Sequence, residues 1–365
     1  MRIAIDARMM GADVTRGIGR YIQELILAML ELHSDNTFVL ITRTKDHAFT
    51  SYKNVETIVA DIPWYGMQEQ MQMPNIFRKA LADVIHIPHW NIPLFIRGKV
   101  AITIHDVLLR HYPASAKSST RNFFLRTLKS AGYRIILAYA IRRAHAIFVP
   151  SHFVAKDLAE FYPAAKKKII VTGEGMPSPV YKTCTVENFA SPYLLYVGSA
   201  YPHKGLGSLL IAWNKIRIQY PALRLKIVGE KDIFMMSLEG SQESGDMRID
   251  FVGRIGDKAL SRLYAHATAF VFPSLHEGFG LPPLEALAHG TPVIASDAGS
   301  LPEVIGPDNA FFFHAGDPDA ILTAVDRVLS DPERAHAMVL IASKDCMRRH
   351  SWKATAEATI QGYFS

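Results

Sequence analysis

The chain has 365 residues, 49% of them hydrophobic and 20% charged, which is more than one ordinary core holds and predicts two domains. Two cysteines, Cys184 and Cys346, exclude a disulfide framework, and neither has metal-ligand spacing around it. The net charge of +6 is uneven: residues 1–190 carry 24 Lys and Arg against 15 Asp and Glu, and residues 191–365 carry 16 against 19.

In chain order, the opening MRIAIDARMM enters a strand pattern at once, without the apolar run of a signal peptide. Strands are predicted at Ile3–Ala7, Phe38–Thr42, Thr57–Ala60, Val84–Ile87, Val100–His105, Ala146–Pro150 and Ile169–Thr172. A helix is predicted over Ile18–Leu32, where Tyr21, Leu25, Ala28, Met29 and Leu32 recur at helical spacing. Residues 115–145 hold Lys117, Arg121, Arg126, Lys129, Arg134, Arg142 and Arg143 and no acid, with Phe123, Phe124, Leu125 and Ile135–Leu137 among them. Such a helix suits an anionic membrane surface, or packs its apolar face on its own domain. No aromatic-and-basic module points to nucleic acid, and no apolar stretch of roughly 18 residues predicts a membrane span.

Gly173, Gly175, Pro177, Pro179 and Pro192 break the rhythm and place a linker at 177–192, between domains 1–176 and 193–349. Strands follow at Tyr193–Val197, Leu223–Val228, Ile249–Val252, Ala269–Phe272 and Pro292–Ala295. Helices are predicted over Leu206–Gln219, Asp257–Ala267, Pro283–His289, Pro318–Leu329 and Pro332–Arg349. The alternation predicts an α/β protein of two Rossmann-like parallel-sheet domains facing across a cleft, with ligands at the carboxyl ends of the strands.

The chemistry concentrates there. In Glu277-Gly-Phe-Gly-Leu-Pro-Pro-Leu-Glu285, Gly278 and Gly280 let the backbone approach a ligand, and a helix starting at the prolines favours an anion such as a diphosphate. Glu277 then projects toward whatever the phosphate carries, and Glu285 suits two vicinal hydroxyls, as on a ribose. Val197-Gly-Ser-Ala-Tyr-Pro-His-Lys204 sets a cation just past a neighbouring strand, where it suits an anion such as a diphosphate. Asp297 and Glu303 either shape the site or cap a loop. Asp317-Pro-Asp319 reads as a helix cap and not a metal-binding D-x-D, and His86-Ile-Pro-His89 as a strand end and not a zinc pair.

The Glu277–Glu285 segment resembles the E-x7-E motif of the retaining GT-B glycosyltransferases of family 4. The similarity covers nearly the whole chain, including Ser351-Trp352, which is similar to the family's closing segment that crosses back onto the N-terminal domain. The resemblance implies that residues 350–365 pack on domain 1–176. It also implies a nucleotide diphosphate sugar held on the C-terminal domain, with Glu277 on the sugar and Glu285 on the ribose. The backbone of Gly278, Phe279, Gly280 and Leu281 would meet sugar hydroxyls and phosphate. His105, at a strand end, would contact the donor sugar from the N-terminal domain. Gly17, in the glycine-rich Arg16–Tyr21 loop, would approach the diphosphate. His105, Lys204 and Glu277 form the implied catalytic set. Ser199 stands where many relatives carry an arginine, so His203 or Arg254 is expected to supply part of that charge. Retaining transfer without metal or other cofactor is implied, to a glycan or lipid-linked acceptor. The Arg-Gly-Ile-Gly-Arg-Tyr opening is similar to O-antigen and capsule mannosyltransferases and favours GDP-mannose in cell-surface polysaccharide synthesis, at a cytoplasmic site peripheral to the membrane. A UDP-sugar transferase, a sugar-nucleotide 2-epimerase and a non-catalytic nucleotide-sugar binder are the alternatives.

Overall fold

Strands such as Phe38–Ile41, Val84–Ile87 and Tyr193–Val197 are buried along their whole length rather than alternately. That is the pattern of parallel sheets covered by helices on both faces. The computed structural model describes residues 1–11, 16–32, 35–112, 123–176, 191–241 and 246–365, and it has two such sheets. The expected linker falls outside the described residues over 177–190, as do Cys184, Lys117 and Arg121.

The chain divides into two compact units. The first comprises Met1–Val107, Thr120–Gly175 and His350–Ser365; the second comprises Leu108–Ser119 and Met176–Arg349. In chain order the first half gives β1 (Arg2–Asp6), α1 (Arg16–Leu32), β2 (Thr37–Thr42), β3 (Val55–Val59), α2 (Met67–Lys79), β4 (Val84–Ile87), β5 (Val100–Thr103), α3 (Leu108–His111), α4 (Phe123–Arg143), β6 (Ala146–Val149), α5 (His152–Phe161) and β7 (Ile169–Val171). The second half gives β8 (Tyr193–Val197), α6 (Leu206–Gln219), β9 (Arg224–Val228), α7 (Ile233–Ser241), β10 (Ile249–Gly253), α8 (Asp257–His266), β11 (Ala269–Phe272), α9 (Leu281–Ala288), β12 (Val293–Ser296), α10 (Leu301–Ile305), β13 (Phe311–Phe313), α11 (Pro318–Ser330), α12 (Pro332–Arg349) and α13 (Trp352–Gly362).

Every strand pair is parallel. The first sheet runs β3-β2-β1-β4-β5-β6-β7 and the second β10-β9-β8-β11-β12-β13. In each, successive strands build outward in one direction and then in the other. The reversal falls between β1 and β4 in the first sheet and between β8 and β11 in the second. Connections diverge at such a point and leave a crevice at the carboxyl ends of the strands.

Helix α13 belongs to the first unit, where Ala356, Ile360 and Tyr363 join Tyr21, Leu25 and Met29 of α1 in one core. Tyr363 Oη lies 2.8 Å from His86 Nδ1, and His86 Nε2 meets Thr103 Oγ1 (2.9 Å). Burial holds this ring neutral, with its pKa pushed down to about 3. Lys168 closes α4 by donating to the carbonyls of Ile141, Arg142 and Ala144, groups that a helix end leaves unpaired.

Candidate functional site

At the reversal of the second sheet, β8 runs into Gly198-Ser199 and then a short 3-10 turn, Pro202–Lys204. Gly205 ends that turn at φ +69°, and a Cβ there would overlap the carbonyl of Pro273, so the two loops touch backbone to backbone. The neighbouring strand β11 runs into the loop 273–280 and then α9. The close approach brings Lys204 to Glu277. Lys204 Nζ lies 2.7 Å from Glu277 Oε1, and Ser274 Oγ donates to the same oxygen at 2.7 Å. The two charged side chains remain 24% and 12% exposed, which leaves them reachable by a ligand.

The Glu277 backbone is fixed from behind. Its carbonyl accepts from Ser300 N (3.2 Å) and lies 3.1 Å from Ser300 Oγ, which also reaches the Phe279 carbonyl. Gly299, at φ +62°, packs so closely that a Cβ would lie 2.7 Å from Glu277 O and 2.8 Å from its N. Gly278, Phe279 and Gly280 are buried; Gly280 caps α9 at φ +98°, Leu281 begins the helix, and Pro282 and Pro283 follow within its first turn. Glu285 is half-buried one turn further on, and its Oε2 accepts from Tyr264 Oη at 2.9 Å. Tyr264 stacks on His289 at 5.5 Å, and His289 Nε2 meets Ser261 Oγ at 3.0 Å.

Ser199 lies half-buried at the same strand end, its carbonyl accepting from Tyr196 Oη at 2.6 Å. His203 does not supply the charge expected of it. The ring is buried, and burial followed by the adjacent Lys204 lowers its pKa to about 4, so it is neutral near pH 7. Arg254 is exposed beyond β10, two strands from β8, about 10 Å at the usual strand spacing. Asp297 ties the loop after β12 to the loop after β13, accepting from Ala315 N (3.0 Å) and facing His314 Nδ1 (3.2 Å). Asp317 caps α11 through the N–H groups of Asp319 and Ala320, and Asp319 pairs with Lys215.

In the first unit, His105 follows β5 with its ring edge-on to Tyr21 (4.8 Å). Its Nδ1 lies 3.4 Å from Glu174 Oε1 and its Nε2 3.3 Å from Pro88 O. Gly17 departs from expectation. Helix α1 already begins at Arg16, so Gly17 lies in its first turn rather than in a loop, exposed, with open space where a Cβ would be. His86 and His89 do not converge as a metal pair. His86 points to Thr103 and Tyr363, whereas His89 Nε2 meets Tyr65 Oη (3.1 Å) and its Nδ1 accepts from Asn91 N (3.2 Å).

The reversal of the first sheet holds a site that the sequence motifs did not single out. Arg8, just past β1, donates Nε to Asp6 Oδ1 (2.9 Å) and Nη2 to Asp6 Oδ2 (2.7 Å) and Glu69 Oε1 (2.6 Å). Its Nη1 donates to the Ile62 carbonyl (3.1 Å). Glu69 Oε2 accepts from Asn91 Nδ2 (2.6 Å) and Tyr65 N (2.9 Å). Tyr65 takes φ +61°, a conformation that costs a bulky residue roughly 1–3 kcal/mol and persists only where surroundings hold it. These groups line a small open pocket with Trp64, Pro88 and His89. The one sequence signal was Asp6-Ala-Arg8 at the end of the first strand; Glu69 and Trp64-Tyr65 carried no recognisable spacing.

Comparison with known proteins agrees with this layout. The family model "Glycosyltransferase Family 4" matches residues 15–176, and "Glycosyl transferases group 1" matches residues 185–345. The chain is 36% identical over 380 residues to the O-antigen chain mannosyltransferase B of Escherichia coli, covering 95% of each. It is 28% identical over 301 residues to the serotype-specific mannosyltransferase WbdA of Escherichia coli, a match covering 76% of this chain and about a third (34%) of that much longer protein. Among solved structures, sucrose-phosphate synthase from Thermosynechococcus elongatus superposes with a TM-score of 0.78 at 21% identity, over 99% of this chain and 98% of that one. That likeness shows the GT-B fold of two Rossmann-like domains.

Proposed function

Because the chain belongs to glycosyltransferase family 4, we propose that it moves mannose from GDP-mannose to a glycan or lipid-linked acceptor in cell-surface polysaccharide synthesis, with retention at the anomeric carbon. The observation that carries the reading is the convergence of Lys204, Glu277 and Ser274 beside a glycine loop and helix start at the reversal of the second sheet. The mannosyl donor rests on the mannosyltransferase relatives.

In this reading Lys204 turns from Glu277 to the diphosphate when the donor binds, and Glu277 turns to a sugar hydroxyl. Backbone N–H groups before α9 meet the phosphates, and Glu285 takes the ribose hydroxyls. The acceptor oxygen attacks the anomeric carbon on the face the diphosphate leaves. The bond to the acceptor oxygen forms as the bond to the diphosphate oxygen breaks. The acceptor's proton passes to that leaving oxygen. Lys204 and the helix start stabilise the growing negative charge, and no step calls on a metal.

Thermal shift with GDP, UDP and ADP, and then with GDP-mannose, tests the donor assignment. GDP is expected to give the largest shift among the bare nucleotides. Stabilisation by UDP alone would move the donor to a UDP-sugar, and no shift with any nucleotide would end the reading. NMR of the product reads the anomeric configuration.

We further propose that the basic segment of the first unit meets an anionic membrane surface. The described part of the basic segment leaves Ile135 65% exposed beside an exposed Arg134. Tyr139 of α4 bonds the carbonyl of Leu94, next to the exposed Phe95, Arg97 and Lys99. No helix among the described residues is long and apolar enough to cross a membrane. Sedimentation with vesicles containing anionic lipid, but not with neutral ones, is the expected result, and equal partition would remove this element.

A further inference from the structure

We propose that Glu174 is the positioning residue for His105: its carboxylate holds the imidazole in one orientation with the ring hydrogen on Nδ1, and leaves Nε2 to meet a hydroxyl of the transferred sugar. The role of His105 at the sugar rests on the transfer reading above; the pairing of the two side chains does not.

Glu174 lies between Gly173 and Gly175, just past β7, where the sequence shows only a break in its rhythm. The residue is nonetheless only 5% exposed. A carboxylate taken that far from water is costly unless a donor meets it. Among the described residues, His105 is the one hydrogen-bonding partner of that side chain, Nδ1 to Oε1 at 3.4 Å. Contacts of this length are common at catalytic groups before a substrate binds and tightens them.

Two acceptors face the ring: Glu174 Oε1 at Nδ1, and the Pro88 carbonyl at Nε2, 3.3 Å away. A neutral imidazole has one N–H to give. The carboxylate makes the stronger bond, so the hydrogen settles on Nδ1 and Nε2 keeps its lone pair. That lone pair then faces the lone pairs of a carbonyl, a contact with no hydrogen in it. A ligand hydroxyl donating to Nε2 supplies one. The acid behind the ring thus chooses which edge the ring offers and in which form.

The surroundings fix the acid in turn. A Cβ on Gly175 would overlap the Trp352 ring and lie 2.5 Å from the Trp352 backbone nitrogen, so the chain beside Glu174 presses against the first residue of α13. The Trp352 ring also lies 5.9 Å from that of Tyr21, which meets His105 edge-on at 4.8 Å. Tyr21 is buried, and its Oη lies 3.3 Å from Thr103 Oγ1, two residues before His105. The returning C-terminal helix therefore backs both the acid and the aromatic neighbour of His105, all within the first unit.

Heteronuclear NMR of the full chain with labelled histidine reads which nitrogen of the His105 ring carries the hydrogen, and needs no substrate. Wild type is expected to carry it on Nδ1. Glu174→Met fills the space and offers no acceptor, so the hydrogen is expected to move to Nε2, where the Pro88 carbonyl is the acceptor left. Glu174→Gln keeps an oxygen beside Nδ1 and is expected to keep the wild-type tautomer and most of the turnover. In transfer assays Glu174→Met should lower kcat about 10- to 100-fold. In a His105→Ala background the same substitution should cost nothing further, because Glu174 acts only through that ring. The hydrogen on Nε2 in wild type, a reading that needs no variant to fold, would overturn the proposal. So would the same tautomer in wild type and Glu174→Met, an unchanged kcat, or an equal loss in the His105→Ala background. A tautomer that moves as expected in a chain that transfers no sugar would instead sink the transfer reading and leave the pairing standing.

Discussion

At the reversal of the first sheet a guanidinium is locked between two carboxylates, with Asp6, Arg8 and Glu69 only 8%, 2% and 1% exposed, whereas at the reversal of the second the Lys204 and Glu277 side chains keep 24% and 12% of their surface. The topology is the same, one pair of diverging loops beyond a parallel sheet, yet the charges do different work. The buried triad is satisfied on nearly every arm and holds Tyr65 and Asn91 in place. The second pair has one strong contact each way, through Lys204 Nζ and Glu277 Oε1, with Ser274 alongside. A saturated charge positions its neighbours; an accessible pair can open and take a ligand.

Removing the charge at each site sharpens that contrast. Arg8→Ala leaves two carboxylates buried and unpaired, and the first unit should lose about 3–5 kcal/mol, read as an earlier transition in urea unfolding. A midpoint within experimental error of wild type would mean the triad is solvated. Lys204→Ala should behave in the opposite way. Its partner reaches water, so stability should change by less than about 1 kcal/mol, while kcat falls on the order of 100-fold or more because the leaving diphosphate loses its cation. Near-normal turnover in both Lys204→Ala and Glu277→Ala would remove the pair from the mechanism.

The same contrast explains what the sequence made legible. The second site is built from consecutive residues: Val197–Lys204 follows one strand and Glu277–Glu285 the next, so glycine, lysine and glutamate lie at readable spacing. Helices α6 and α12 fall on the predicted bounds, Leu206–Gln219 and Pro332–Arg349, because breaking residues mark their ends: Gly205 precedes α6, Pro221 follows it, and Pro332 opens α12. The first site is assembled from Asp6 and Arg8, Trp64–Glu69, and His89–Asn91, three segments that only the sheet order brings together. Each residue alone reads as an ordinary charge or aromatic. Strand β13, the run Phe311–Phe313, escaped prediction because a short apolar run without β-branched residues does not separate strand from helix. The loop expected at Gly17 proved helical because nothing between Arg16 and Leu32 breaks a helix strongly enough: its two glycines sit in the first turn, where the cost is small.

Acid tests the two units by their buried histidines. The pKa values of His86 and His89 in the first unit are lowered to about 3 and that of His203 in the second to about 4, each chiefly by burial. An unfolded histidine titrates near 6.5, so between 6.5 and the lowered value the unfolded chain binds more protons. The stability that these neutral rings contribute is full above about pH 6.5 and is lost as pH falls toward the folded value. By pH 5 the loss is about 2 kcal/mol per ring. The first unit, with two such rings, should therefore drop further than the second between pH 7 and pH 5 in calorimetry. Parallel decline of two transitions would show that the rings do not set the difference.

The smallest expected effect lies at Glu285, one turn inside α9 and the point in the second site furthest from the proposed bond-breaking. Tyr264 holds this carboxylate from one side, through a hydrogen bond of 2.9 Å, and is itself fixed by stacking on His289. Tyr264→Phe keeps the ring and its packing and releases only that tether. If Glu285 grips the ribose, a looser carboxylate should weaken GDP binding about 3- to 10-fold while kcat changes little, since the interaction is the same in ground and transition states. The discriminating measurement is the ratio of affinities for GDP and 2′,3′-dideoxy-GDP. In wild type the ratio reports the hydroxyl contact; in Tyr264→Phe it should shrink toward one, because only the nucleotide with hydroxyls loses anything. Equal weakening of both nucleotides would mean that Tyr264 supports the helix start as a whole, and that Glu285 acts on the fold of α9 rather than on the sugar of the nucleotide.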